Sequence, residues 1–152
     1  PFMTRWEPAR YTQLLANGRA RQFQLVQEVN SVITAPSGMM QIKPGYNRIT
    51  GLAWSGYGAI SGVEISTDGG QSWKAAQLNH PALPKAQARF QMDWGWDGKP
   101  TKIVSRSPDD KGNVQPDRKA VIERMGTNAL FHYNAQQSWS IDEKGMVRNV
   151  LA

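Results

Sequence analysis

The chain has 152 residues, no cysteine and a formal net charge of +6. That length suits one domain with a substantial core, and it is too short for a multi-bladed propeller, whose blades need roughly 40–50 residues each. The absence of cysteine excludes disulfides, cysteine-ligated metal and thiolate catalysis from this chain, and no apolar run approaches the roughly 20 residues that span a membrane.

The first segment, residues 1–20, holds few apolar side chains, and we interpret it as a linker from a preceding domain. It begins without a methionine or a visible signal peptide, like the interior of a longer protein. A weak helical pattern lies around Tyr11–Leu15. From Arg21 to Asn30 the apolar residues alternate as in a strand, and we take 21–152 as the domain itself.

Short alternating segments separated by turn residues follow along the rest of the chain. Strands are predicted within 46–56, 60–78 as a hairpin, 88–96, 101–107, 129–134 and 136–142, with a last short strand after a turn at 143–146. The second weak helical candidate is Ala120–Met125. Seven to nine short strands without a long helical period predict an all-β fold, an immunoglobulin-like antiparallel β-sandwich.

Residues 66–73, "STDGGQSW", fit the pattern called an Asp box, best known from sialidase-type propellers. It favours an alternative function, a carbohydrate-binding β-sandwich module. However, the chain has no second copy of the motif. We therefore interpret it as a self-locking hairpin, in which Asp68 accepts hydrogen bonds from turn amides and Trp73 closes over the loop.

No common catalytic constellation is evident in the sequence. The two histidines, His80 and His132, are far apart and have no paired metal-ligand spacing. Asp109–Asp110 is either a carboxylate pair, a calcium site or a turn, and we favour the turn. Ser55–Gly62 is rich in glycine but leads into a strand, so we interpret it as a hairpin turn rather than a phosphate loop.

Positive charge is concentrated in residues 1–24 and 99–124. These zones either steer an anionic substrate or an acidic partner, or are solvated surface. The sequence has no basic helix and no aromatic–basic strand motif, so we expect neither a nucleic-acid partner nor a membrane partner.

Several segments together resemble one family. Ile49–Leu78 carries Gly-x-Ala-Trp-Ser-Gly-x-Gly-x-Ile followed by Val-Glu-x-Ser-x-Asp-Gly-Gly-x-x-Trp, which resembles the C-terminal dimerisation domain of molybdenum-cofactor sulfite oxidases. Ser105–Asp117 is similar to the segment of that family that contains Asn-Val-Gln-Pro. Arg19–Ser37 and His132–Val150 are most similar to the sulfane dehydrogenase subunits (SoxC type) of the sulfur-oxidising multienzyme system.

This resemblance implies an immunoglobulin-like domain that forms a homodimer and contacts a molybdopterin domain of the same protein. In the family a cysteine of that domain ligates molybdenum; because this chain has no cysteine, we expect it to hold no cofactor and no metal and to be inactive alone. The intact enzyme is implied to oxidise sulfite or protein-bound sulfane sulfur, to pass electrons to a c-type cytochrome subunit and to be periplasmic.

The resemblance also places candidate residues at the lip of the substrate pocket. Sulfite oxidases send an arginine there from a stretch like Asn-Ala-Trp-His-Arg, which is matched here by 128–134, "NALFHYN". With His132 aligned, Tyr133 stands in the place of that arginine. A neutral hydroxyl thus replaces the charged, planar guanidinium of an arginine. This replacement favours a larger or less charged substrate than free sulfite. The alternative is that Tyr133 is only an aromatic residue of an interface. His132, Arg106 and Arg118 are the other candidates for this lip, and the two arginines are those expected to face the cofactor domain.

Overall fold

The structure is a computed structural model that describes residues 12–14, 17–22, 26–126 and 133–150. Within these ranges there are eleven strands and one helix. Nine of the strands form two antiparallel sheets, of five and four strands, that make a sandwich. The prediction of an immunoglobulin-like all-β sandwich is confirmed, with a strand number at the upper end of the predicted range.

The elements follow one another without long interruptions in the described part of the chain. In chain order they are β1 (Thr12–Leu14), β2 (Ala20–Gln22), β3 (Asn30–Ala35), β4 (Gly45–Trp54), β5 (Glu64–Ser66), β6 (Lys74–Ala75), β7 (Gln77–Leu78), β8 (Ala88–Trp96), β9 (Thr101–Arg106), α1 (Arg118–Met125), β10 (Ser138–Ile141) and β11 (Val147–Val150). The strand orders are β11-β10-β9-β5-β6 and β3-β4-β8-β7, and β1 pairs with β2 in a separate hairpin.

The core lies between the two sheets and follows the alternation expected for β8. Phe90 and Trp96 are buried, and Met92 and Trp94 pack against the same cluster. Successive strand residues point to opposite faces, so this side of β8 faces the core. Opposite Phe90, β4 has Gly51, where any side chain would overlap the Phe90 ring.

A buried polar bridge joins the two sheets. Oγ of Ser31 on β3 is hydrogen-bonded to Oε1 of Gln115 at 2.6 Å and to Oγ of Ser105 on β9 at 2.9 Å. Nε2 of Gln115 donates to Oδ1 of Asn30 at 2.8 Å. Since buried polar groups must be paired to avoid a desolvation penalty, the bridge fixes how the loop after β9 sits against β3.

Three local predictions need correction. The segment predicted as a strand from Arg21 is irregular at 26–29, and β3 begins only at Asn30. The helical pattern around Tyr11–Leu15 is wrong, because β1 occupies 12–14 and pairs with β2. The glycine-rich stretch after β4 is not a hairpin turn, because it crosses from one sheet to the other, where β5 pairs with β9.

The helical candidate at Ala120–Met125 is confirmed and extends to Arg118. Asp117 caps its start, and its Oδ1 accepts the amide of Ala120 at 2.7 Å. Such a side-chain acceptor satisfies one of the free amides of the first turn. Most of the strand predicted at 129–134 lies outside the described residues, and the boundary at residue 20, which the β1–β2 hairpin spans, stays a prediction.

Candidate functional site

The hairpin at residues 66–73 is organised around the Asp68 carboxylate. Oδ1 of Asp68 accepts hydrogen bonds from the amides of Gln71 and Ser72 at 3.0 and 2.9 Å, and from the Ser66 hydroxyl at 2.6 Å. These bonds, led by that of Ser66 and followed by the Ser72 hydroxyl, hold the pKa of Asp68 well below its usual range. The predicted role of Asp68 as the acceptor of turn amides is confirmed.

Arg106, at the end of β9, connects the same hairpin to the sheet. Its Nε lies 2.7 Å from Oε2 of Glu64, and its guanidinium carbon lies 4.1 Å from the centre of the Trp73 ring. An ion pair and a cation–π contact of this kind contribute about 0.5–1 kcal/mol each where they are partly exposed. The positive charge of Arg106 is therefore engaged within the domain, and its role toward another domain stays a prediction.

The beginning of α1 lies beside this region. Arg106, Trp73 and Lys102 line a cavity of about 360 Å³ together with Asp117, the helix cap. Arg118 is the next residue and is half-buried. The structure thus brings the region of Arg106 and the start of the helix that contains Arg118 together on one side of the molecule.

Tyr133 stands in a different setting from Arg106. It is half-buried and is followed by two buried residues, Asn134 at 4% exposure and Ala135 at 1%. His132, the other candidate from the same stretch, lies outside the described residues. Asn134 lines a second cavity, of about 170 Å³, which it shares with Arg124.

A group of three side chains that the sequence did not single out surrounds Asn134. Arg124, in the last turn of α1, donates from Nη1 and Nη2 to the two carboxylate oxygens of Glu28 at 3.1 and 2.6 Å, and from Nη2 to Oδ1 of Asn134 at 3.3 Å. We call Glu28, Arg124 and Asn134 the Arg124 cluster. Glu28 and Arg124 are 96 residues apart, so no short-range motif could have paired them.

Another part of the wall of the second cavity comes from the loop after β9, through Asn113, Val114 and Pro116. Asp109 is buried there and accepts hydrogen bonds from the Ser55 hydroxyl at 2.7 Å and the Asn113 amide at 2.9 Å. Burial opposes the charge of Asp109, but these bonds outweigh it and lower its pKa. The interpretation of Asp109–Asp110 as turn-forming agrees with this, since Asp110 likewise accepts the Ala59 amide.

The residues present do not fit a molybdenum cofactor. The chain has no cysteine to supply a thiolate. Across 26–126, 133–150 and the two short described stretches before them, no three metal-binding side chains of His, Asp or Glu come together. In the same ranges, no helix is long and apolar enough to cross a membrane.

Comparison with known proteins decides the family. A family model described as the Mo-co oxidoreductase dimerisation domain matches residues 21–138. The chain belongs to this family. The hairpin at 66–73 lies inside the matched range, so in this dimerisation domain the Asp box is a scaffold element, and the match favours this family over the carbohydrate-binding alternative.

Individual relatives agree with this assignment of a dimerisation domain. Sulfite oxidase of Gallus gallus is 34% identical over an alignment of 105 positions, and the alignment covers 62% of this chain and 22% of that protein. Mitochondrial sulfite oxidase of Homo sapiens is 35% identical over an alignment of 106 positions, and the alignment covers 62% of this chain and 18% of that protein. The chain therefore spans about a fifth of the length of these relatives.

A solved structure is similar over nearly the whole chain. The crystal structure of the sulfane dehydrogenase SoxCD from Paracoccus pantotrophus matches this dimerisation domain with a TM-score of 0.90 and 42% identity, covering 97% of this chain and 38% of that one. The resemblance to both sulfite oxidases and sulfane dehydrogenases is confirmed.

Proposed function

We propose that this dimerisation domain belongs to a molybdenum enzyme that oxidises protein-bound sulfane sulfur, and that it holds two copies of that enzyme together as a homodimer. The observation that carries the proposal is the similarity to a sulfane dehydrogenase, at 42% identity over 97% of the chain. The similarity to the sulfite oxidase of Gallus gallus is lower, at 34%, and covers 62% of the chain.

The cofactor of this enzyme belongs to another domain of the same protein. A molybdopterin group bound there would supply the oxidation of sulfur, and we propose that the electrons pass to a c-type cytochrome subunit in the periplasm. The present domain contributes orientation and electrostatics, as protein does in cofactor enzymes generally. Its own residues supply no thiolate, because it contains no cysteine.

Tyr133 supports sulfane sulfur over free sulfite as the substrate. Sulfite is a small dianion, and a guanidinium binds such an oxyanion with a charged, planar pair of donors. A tyrosine offers a single neutral hydroxyl, which suits a sulfur atom carried on a protein side chain. We propose that Tyr133 lies at the lip of the pocket where it meets this substrate. The roles proposed for His132, Arg106 and Arg118 toward the cofactor domain rest on the same resemblance.

The full-length holoenzyme tests this proposal by its choice of substrate. We expect a higher kcat/KM for a cysteine persulfide on a carrier protein than for sulfite, with reduction of ferricytochrome c as the readout. Replacing Tyr133 with arginine should raise kcat/KM for sulfite about tenfold, the scale of one added charge-assisted hydrogen bond. A wild-type preference for sulfite, or no gain for sulfite in Tyr133→Arg, would contradict the proposal.

A further inference from the structure

Asn134 is held at both ends of its side chain. Its Nδ2 donates to the backbone carbonyl of Val29 at 3.2 Å, and its Oδ1 accepts from Nη2 of Arg124 at 3.3 Å. The residue is 4% exposed, and Val29 is 2% exposed. A buried carboxamide with partners on both sides has one orientation, because turning it would place donor against donor.

Arg124, which fixes one end of Asn134, is itself fixed by Glu28. Nη1 and Nη2 of its guanidinium donate to the two carboxylate oxygens of Glu28. The Glu28 side chain is only 14% exposed. A bidentate ion pair of this kind fixes the orientation of the guanidinium as well as stabilising it. Ion pairs of this kind contribute little net stability compared with apolar packing, so their effect on geometry is the larger one.

The segment that follows Tyr133 depends on these side-chain bonds. Residues 133–137 form no strand, so no ladder of backbone hydrogen bonds sets the position of Tyr133. The next backbone anchor along the segment is the amide of Gln136, which donates to the carbonyl of Pro116 at 3.0 Å. Adjacent Cα atoms are about 3.8 Å apart, so a shift of Asn134 is passed directly to Tyr133.

We propose that Asn134 and Arg124 are positioning residues, which hold the backbone beneath Tyr133 so that its side chain points to the substrate. The proposal rests on the proposed function, since it gives Tyr133 a place at the pocket. Misplacing a substrate-contacting group by about 1 Å costs on the order of 100-fold in rate. Loss of the cluster therefore reduces turnover through Tyr133 rather than through unfolding.

A double-mutant cycle in the full-length holoenzyme tests this role. The kcat/KM of each variant is measured with the substrate that the wild-type enzyme oxidises faster, either the carrier-bound cysteine persulfide or sulfite. We expect Asn134→Ala to lower kcat/KM on the order of 10- to 100-fold in the wild-type background. In a Tyr133→Ala background, the same change should lower it less than about threefold, because interacting residues are not additive.

Asn47→Ala is the matched control. Asn47, unlike the buried Asn134, is half-buried, and its amide likewise makes two hydrogen bonds, to the backbone carbonyls of Lys43 and Gly45 at 3.0 Å each. It lies on β4, away from the Arg124 cluster. We expect Asn47→Ala to remove two side-chain hydrogen bonds and shift the melting temperature less than Asn134→Ala does, since its bonds are more exposed, while leaving kcat/KM within about twofold, as for independent sites.

Arg124→Lys extends the test in case Asn134→Ala does not fold. Lysine keeps the charge beside Glu28 but lacks the planar fork that also reaches Asn134, so the same dependence on the Tyr133 background should be seen. Equal losses in both backgrounds would overturn the positioning role and leave the proposed function standing. If Tyr133→Ala alone leaves kcat/KM unchanged, the positioning role and the proposed place of Tyr133 both fail.

Discussion

Asp109 lies in the loop between β9 and α1, where its buried carboxylate accepts hydrogen bonds from Ser55, Asn113 and the amide of Lys111. These bonds connect the crossover after β4 to the loop that leads to the helix. Because Ser55 is buried at 1% exposure, removing the carboxylate leaves its hydroxyl without that acceptor, whereas Lys111 and Asn113 are exposed and can bond to water. Together with the buried Gln115 bridge, Asp109 therefore holds this loop, which lines the cavity beside the Arg124 cluster.

We therefore predict that Asp109→Ala lowers the free energy of unfolding by about 2–3 kcal/mol, the scale of losing a charged hydrogen bond whose partner, Ser55, is buried. Denaturant unfolding of the chain measures this. A matched control is Asp97→Ala, because Asp97 is exposed and its carboxylate accepts the amide of Lys99; a loss below about 1 kcal/mol is expected there. Equal losses in the two variants would contradict the role assigned to Asp109.

The same residue gives a pH dependence whose sign follows from its pKa. The pKa of Asp109 is lowered in the folded state, so the folded form holds the proton less tightly than the unfolded form. The stabilisation is present above the unfolded pKa of about 3.9 and is lost as the pH falls below it toward the folded value. In Asp109→Asn, residue 109 no longer titrates. We therefore expect the free energy of unfolding of this variant to fall less steeply than that of the wild-type protein as the pH is lowered through this range.

At the scale of the element, the pairing of β4 with β8 depends on Gly51. A side chain there would overlap the ring of Phe90 and the carbonyl of Val32, so two neighbouring strands would have to move. We predict that Gly51→Ala lowers the free energy of unfolding by about 1–3 kcal/mol, the cost of overpacking a core. Gly95→Ala on β8 is the control, since a Cβ there meets nothing within 4 Å, and equal effects would contradict the packing account.

How far the sequence predicts these elements depends on whether the signal is local. β4, β8 and the hairpin around Asp68 follow from alternation and turn residues, which act over a few positions. The irregular stretch before Asn30 could not be predicted from such local signals. Glu28 is positioned by a hydrogen bond to α1, and Val29 by one to the segment after Tyr133. The Arg124 cluster was missed for the same reason, since only tertiary packing brings its three segments together.

At the scale of the whole molecule, the two sheets carry different features on their outer sides. The five-stranded sheet has the Asp68 hairpin at its β5–β6 edge, where Trp73 contacts Arg106 of the central strand β9. The Arg124 cluster, Tyr133 and the Asp109 loop lie where α1 and the irregular segments meet the sandwich. The candidate contacts with another domain lie at the ends of elements and beside them: Arg106 ends β9, Arg118 begins α1 and Tyr133 lies on an irregular segment.

The central claim, that this domain joins two copies of a larger enzyme, is tested most directly by mass in solution. Sedimentation velocity should give a dimer for the full-length protein and a monomer for a version that lacks residues 21–152, at the same concentration. The cofactor domain should remain folded in the shortened protein, as judged by its circular dichroism. A full-length monomer, or a dimer that persists without this domain, would contradict the account.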